Sequence, residues 1–227
     1  VATAVIELRA MLARIARCRA SLHAVRGTAR RQRRNSTGRA LAVVLKEEWD
    51  GEQANLAVGG RLEQLVGQLQ ARGGAISDEA GDGRVTITLP GVVATFDCRD
   101  VPEEDDAPAA PSAGDADAPP PVEFDASVAG AGGAKLVFEC VAADSVQIDA
   151  VAFYGAESGD DAYDGPKFDE LDAKLQASFY AYLEGKGVDP DLCETICAYA
   201  SHKEALEYAN WLERCGKFLE ASEPDDA

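Results

Sequence analysis

Histidine is nearly absent from this chain: 227 residues contain two, His23 and His202. His202 stands alone once the basic N-terminal stretch is set apart, so a His-based triad or a His-rich metal site has at most one member to draw on. Beside Lys203 at an apparent helix start, it reads as a solvated surface residue. Long apolar runs are missing too. The N-terminal apolar stretches are short and interrupted by arginine, which excludes a membrane span there, and they lack the unbroken core of a secretory signal. Six cysteines, at positions 18, 98, 140, 193, 197 and 215, follow no regular framework and read as buried thiols of a reducing compartment. No G-K-[ST] follows the glycines of AGAGGAK, and a strand pattern comes next, so these glycines make a turn and not a phosphate-binding loop.

Cations are scarce past residue 39. The last 188 residues hold 12 Lys+Arg against 39 Asp+Glu, a formal charge of −27 where the whole chain carries −18. The other ten cations are all arginines within the first 39 residues, where Glu7 is the only acid. That segment sets Val5, Leu8, Leu12 and Ile15 at near-helical spacing with arginines on the remaining faces, and Ser36 and Thr37 lie near its end. An Arg-rich, acid-poor, amphipathic start on an acidic body reads as a mitochondrial transit peptide over residues 1–39, cleaved near Gly38 to Ala40. The competing reading is a basic arm kept for nucleic acid, but nothing basic follows to continue such a surface.

The body, residues 40–227, suits one domain with a single core, and a hydrophobic share of 46% is that of a globular chain. Its charge repels a phosphate backbone, so the mature body is no nucleic-acid binder. Cationic proteins and divalent cations are its natural ligands.

The periodicity starts helical. Residues 40–52 set Leu41, Val44, Leu45 and Trp49 on one side, and GGRLEQLVGQLQARGG sets Leu62, Leu65, Val66 and Leu69 at i, i+3, i+4, i+7. In RVTITLP the period becomes two, and VVATFD, VEFDASV, KLVFECV and SVQIDAVAFYG continue it. Short turns between such strands predict an antiparallel meander, with KLVFECV apolar on both faces and central. Residues 101–121, almost all Pro, Ala and Asp, read as a mobile acidic loop between strands. From Pro166 the pattern predicts one helix with Phe168, Leu171, Leu175, Phe179 and Leu183 on a stripe. A second starts at Asp189-Pro190, and a third at Ser201 with Glu204 at capping-box spacing. The fold class is α+β, a twisted antiparallel sheet with an N-terminal helix and two or three C-terminal helices.

The C-terminal run from Tyr163 to Glu220 carries a family resemblance. Leu171, Asp172, Leu175, Gln176, Phe179, Tyr182, Leu183, Glu184 and Gly187 follow one helix motif. Lys203, Glu204, Glu207, Tyr208, Trp211, Leu212, Cys215 and Phe218 follow a second. The sequence resembles the mitochondrial matrix acidic protein family, also called the mitochondrial glycoprotein family. The resemblance implies a ring-shaped homotrimer in the mitochondrial matrix, no enzymatic activity, and a scaffold or chaperone-like role linked to mitochondrial translation, ribosome biogenesis and respiration. Gly59 to Ala71 departs from the family by adding a helix-like segment, which leaves the strands of residues 60–96 open.

No catalytic, cofactor or metal site is expected. Asp160, Asp161, Asp164 and Gly165 resemble the start of an EF-hand, but Ala162 takes the third ligand position and Leu171 the twelfth. Electrostatic binding of cationic clients falls to the acidic loops, through Glu103, Glu104, Asp105, Asp106, Asp115, Asp117, Asp160 and Asp161. Phe179, Tyr182, Tyr208 and Trp211 are large residues on more than one side of the terminal helices and are the candidate oligomer interface. Two alternatives stand beside the scaffold. One is an adaptor held permanently in a large mitochondrial assembly; the other is a metal or redox protein built on Cys193, Cys197, Cys215 and His202. The C-x3-C spacing of Cys193 and Cys197, on a face shared with Leu192 and Ile196, favours buried packing.

Overall fold

The computed structural model describes residues 34–56, 60–100, 119–155 and 165–222. These fall into two compact units, a larger one within residues 60–207 and a smaller one made of residues 34–56 and 208–222.

The larger unit is built on a six-stranded antiparallel meander in sequence order: β1 (Ala75–Asp78), β2 (Arg84–Leu89), β3 (Val92–Asp97), β4 (Val122–Ala129), β5 (Lys135–Ala142) and β6 (Val146–Tyr154). The alternation in the sequence is the alternation of the faces. Val85, Ile87 and Leu89 of β2 are buried, as are Val92, Ala94 and Phe96 of β3, while Thr86, Thr88, Val93 and Thr95 point the other way. Pro90 and Gly91 close this hairpin, Leu89 opposite Val92; Gly91 sits at φ 93°, which a type II turn requires of its second central residue. β5 is internal, between β4 and β6, and is buried on both faces at Cys140, Val141 and Ala142. Strand β1 has no counterpart among the predicted strands. AISD is four residues with a single apolar β-branched side chain, too short for period two to register, and it is held by pairing Ile76 to Ile87.

Helices of the larger unit cover one face of the sheet. Helix α1 (Arg34–Leu56) belongs to the smaller unit, and α2 (Gly60–Ala71) opens the larger one with Leu65 and Leu69 buried, as its stripe predicts. Helix α3 is shorter than its pattern, running only over Ala173–Glu184. A 3-10 turn at Phe168–Glu170 precedes it, Leu171 is extended, and the Asp172 carboxylate accepts from the Lys174 N–H at 2.9 Å. The Asp172 side chain satisfies an amide that an earlier start would have bonded to a carbonyl, so the helix begins there. The stripe shortens accordingly. Phe168 and Leu183 are buried and Phe179 half-buried, but Leu175 is exposed.

The chain reverses through a Schellman motif. The Val188 N–H donates to the Leu183 carbonyl at 3.0 Å and that of Gly187 (φ 91°) to Glu184 at 2.9 Å, with Val188 and Leu183 both buried. Asp189 caps helix α4 (Pro190–Ser222) by accepting from the Leu192 N–H at 3.0 Å, with Pro190 in the first turn as predicted.

There is no third start at Ser201. Helix α4 is continuous for 33 residues, because no glycine or proline falls between Pro190 and Gly216 to interrupt it. Ser201 is therefore mid-helix, and its buried hydroxyl has no hydrogen-bond partner among the described residues. In a capping box this serine would be worth ~1 kcal/mol. Buried without a partner, its hydroxyl costs stability. Ser201→Ala should leave stability unchanged or raise it by about 0.5–1 kcal/mol, read from urea unfolding midpoints.

Candidate functional site

The residues nominated for client binding, Glu103, Glu104, Asp105, Asp106, Asp115, Asp117, Asp160 and Asp161, lie outside the described residues, as do the leader up to residue 33 and most of the loop at 101–121. What the structure shows is how the rest of the acidic body disposes of its charge. All 12 of its cations fall within the described residues. Lys46 pairs with Asp50, Arg61 with Glu194, Arg72 with Asp189, Arg99 with Asp97 and Lys217 with Glu213. Lys135 and Lys186 lie over the rings of Tyr154 and Tyr182. Most of the twelve cations are thus engaged with other groups of the chain, and carboxylates outnumber cations among the described residues.

On the sheet face away from the helices, Asp125 of β4 stands directly opposite Glu139 of β5. Like charges at directly opposed positions are unfavourable. Burial and then Asp100 push the Asp125 carboxyl up, with Lys135 acting against them. A cation brought to this face relieves that repulsion. Neither residue was among the sequence candidates, although the alternation of VEFDASV and KLVFECV already puts both on the polar face.

Lys203 is the deepest charge in the larger unit, 1% exposed. Its Nζ lies 3.0 Å from a carboxylate oxygen of Asp78 and 3.0 Å from one of Glu207, and it donates to the Glu79 carbonyl at 2.7 Å. Glu207 in turn accepts from the Gly81 N–H at 2.9 Å. Two residues of the second helix motif, Lys203 and Glu207, thus clamp α4 to the turn that leaves β1. Burial alone would lower the Lys203 pKa; the bonds and charges of Glu207 and Asp78 more than offset it and hold it above the ordinary value of 10.5.

The cysteines pack. Cys140, Cys193 and Cys197 belong to the buried core beneath the sheet, and the Cys197 thiol donates to the Ala142 carbonyl at 3.3 Å. Burial pushes Cys193 and Cys197 up to about 12, and Cys140 rises for the same reason. At neutral pH they are thiols, and the thiolate needed for attack or metal ligation is not formed. His202, five residues beyond Cys197, lies roughly 140° around the helix from it, and Cys215 falls in the smaller unit.

The oligomer candidates divide. Phe179 packs into the chain's own core, 5.8 Å from the Phe138 ring and 6.2 Å from Phe168. Tyr182 is 39% and Trp211 50% exposed. Tyr208 stacks on Trp211 at 6.0 Å, and its hydroxyl donates to Glu48 of α1 at 3.5 Å.

A model of the mitochondrial glycoprotein family matches residues 82–219, well over half of the chain. The chain belongs to that family. The mitochondrial acidic protein mam33 of Schizosaccharomyces pombe is 46% identical over 57 residues, 25% of this chain and 21% of that protein. An uncharacterized mitochondrial protein of Arabidopsis thaliana is 35% identical over 92 residues, 39% of this chain and 37% of its own length. The matches thus span about a fifth and a third of these relatives. Among solved structures, the Trypanosoma brucei p22 protein superposes with a TM-score of 0.59 at 19% identity, over 81% of this chain and 99% of that one. A hypothetical protein of Leishmania major, described as a sequence homologue of human p32, gives 0.58 at 19% over the same shares. These two show the fold alone. Membership of the family and the names of both relatives make the mitochondrion the compartment, and no helix among the described residues is long and apolar enough to cross a membrane.

The clamp gives the family motif a measurable role. Lys203→Met should cost about 2–4 kcal/mol, because it leaves Asp78 and Glu207 facing each other without their cation; the partial exposure of both carboxylates keeps the loss below that of a fully buried pair. A folded-state pKa above the unfolded one gives stability that is complete below pH 10.5 and lost as pH rises through the raised value. The wild-type advantage over the Met variant, followed by denaturant titration, should therefore hold up to about pH 10 and shrink above it.

Proposed function

We propose that this protein is a non-enzymatic acidic scaffold of the mitochondrial matrix that holds cationic protein clients, and that it works as a homotrimer after residues 1–39 are removed. The observation that carries the reading is the one-sided charge balance: half of the body's twelve cations stand in ion pairs with its own carboxylates, and its net formal charge is −27. Like-charge pairs such as Asp125 and Glu139 reduce stability, and a basic client offsets that cost. The family resemblance adds the expected link to translation or ribosome biogenesis, where unassembled basic proteins need a temporary counter-charge. Display on a trimer adds weak contacts together. The reading as a permanent adaptor shares this charge logic and differs in sedimentation, since an adaptor is found only in a large assembly. The cysteine-based redox reading finds no support in thiols held near pKa 12.

Trp211, half-exposed in the single chain, is on this proposal covered by a neighbouring copy. Trp211→Ala should then weaken assembly by ~2–4 kcal/mol while changing the unfolding of a dilute single chain by under ~1 kcal/mol. Sedimentation of the mature chain measures this, and a mature wild type that stays monomeric at micromolar concentration overturns the trimer.

Client binding should be Coulombic. Affinity for a basic probe such as oligolysine should fall steeply as the Debye length shortens from ~10 Å at 0.1 M salt to ~3 Å at 1 M. Neutralising Glu103, Glu104, Asp105, Asp106, Asp115 and Asp117 to Gln or Asn should slow association at low salt and leave the unfolding midpoint in place. Salt-insensitive binding would refute the electrostatic scaffold, whereas a normal association rate in the neutralised chain would move the binding surface to the sheet face around Asp125.

A further inference from the structure

The smaller unit holds a groove of about 230 Å3 between α1 and the last turns of α4. Ala42, Leu45 and Trp49 line it from α1, and Leu212 and Gly216 from α4. On each helix the lining positions recur every three or four residues, so the groove follows both helices for about two turns, ~10 Å. An apolar cavity of ~150 Å3 is large enough to take up benzene, so this one has room for a leucine or phenylalanine side chain.

Gly216 is the residue that packing within the chain does not explain. It lies inside α4, where glycine is less favourable than alanine. A Cβ added there would meet nothing within 4 Å, so no neighbour in the chain demands the missing side chain. Gly51 and Gly67 are equally open, but neither lines the groove. At Gly216 the open space belongs to the groove, and any larger residue would narrow it.

The rim decides what can enter. Lys46 pairs with Asp50 at 2.6 Å and Lys217 with Glu213 at 2.7 Å, each pair exposed and within one helix. Both lysines are thus already met by a carboxylate of the chain. Glu220, also on the rim, has no ion pair among the described residues. Two lysines against Asp50, Glu213 and Glu220 leave the rim negative, on a body of charge −27, so an anion is repelled and a cation attracted. Glu220 stands one helical turn, ~6 Å, beyond Gly216. A helix laid along the groove repeats that spacing: an apolar residue over Gly216 has its own i+4 neighbour within reach of Glu220.

We propose that this groove anchors cationic protein clients: it takes one bulky apolar side chain of a basic helical segment, whose Arg or Lys four residues away pairs with Glu220. The inference rests on the scaffold reading for the class of client. It adds what net charge alone does not supply, a choice among equally basic segments. Long-range charge brings the client to the surface, and the groove then selects an apolar residue at the right distance from a cation. Apolar burial is not screened by salt, so the selection persists where Coulombic attraction fades.

The test uses the full chain and two labelled helical peptides of ~15 residues and equal charge, with binding read by fluorescence anisotropy. Both have a lysine–alanine background and one arginine; four residues before the arginine, one carries leucine and the other alanine. The leucine peptide should bind about five- to tenfold tighter, and the ratio should hold from ~0.1 M to ~0.5 M salt while both affinities fall. Gly216→Leu fills the groove and should bring both peptides to the affinity of the alanine peptide. It should keep the wild-type urea midpoint or exceed it, since the added side chain starts in open space and replaces a helical glycine. Glu220→Gln should weaken the leucine peptide about threefold at ~0.1 M salt and spare a version whose arginine is replaced by alanine. Equal binding of the leucine and alanine peptides to the wild type overturns the anchor and, with oligolysine still bound, leaves the scaffold standing. Failure of both peptides and of oligolysine to bind overturns the two together. A leucine preference that survives Gly216→Leu in a folded chain overturns the site. So does a preference that disappears as protein concentration is raised, because a second copy then fills the groove.

Discussion

The seating of α4 on one face of the meander is the contact on which the rest of the structure depends. Leu192, Cys193, Ile196, Cys197 and Ala200 are all buried there, at intervals of one, three and four residues that make a single stripe. At about 25 cal/mol per Å2 of apolar area, a stripe of this size is worth several kcal/mol. It can form only because the chain reverses in the few residues between α3 and α4. Gly187 supplies the left-handed residue of that reversal, Asp189 caps the new helix, and Arg72 grips Asp189 at 2.6 Å while donating to the Gly187 carbonyl at 3.0 Å. Three local devices thus set the direction of the 33-residue helix, and the Lys203 clamp holds it again at the far end of the sheet.

The sheet interior was largely legible. Strict alternation in β2, β3 and β4 assigns each side chain to a face, Pro90-Gly91 fixes the hairpin register, and short connections order every neighbouring pair except β3 and β4, which the acidic loop separates. The failures occurred where two local rules competed. Ser201 and Glu204 have the spacing of a capping box, yet the signature means a start only where the preceding residues cannot be helical, and CETICAYA has no such residue. Conversely, the stripe through Phe168 and Leu171 has helical spacing, but the Asp172 carboxylate takes the amide of Lys174 and delays the helix. A period of 3.6 records which residues face the core without recording whether the backbone between them is helical.

The candidate site was less legible than the fold, for a physical reason. Net charge is additive along the sequence, so the acidic surplus could be read at once. Which carboxylates remain without a counter-charge depends on pairs distant in sequence, such as Arg61 with Glu194 or Arg72 with Asp189. Lys203 shows how far this can mislead. In the sequence it is one residue of the second helix motif, beside a histidine that reads as solvated surface; in the fold it is the most deeply buried charge of its unit, paired with Asp78 from a strand too short for period two to register.

The placement of the surplus also reconciles a charge of −27 with a stable core. Thirteen of the body's 39 acids fall in residues 101–118, 156–164 and 223–227, stretches that contain no lysine or arginine. Carboxylates within an element are instead spaced among cations, as Asp50 is by Lys46 and Glu213 by Lys217. Repulsion between exposed charges is screened beyond ~10 Å at 0.1 M salt, so carboxylates farther apart than this weigh little on one another. They still set the long-range field at lower ionic strength. Such a division lets the same chain carry a stable sheet and a strong negative field, because local pairing governs the first and uncompensated charge the second.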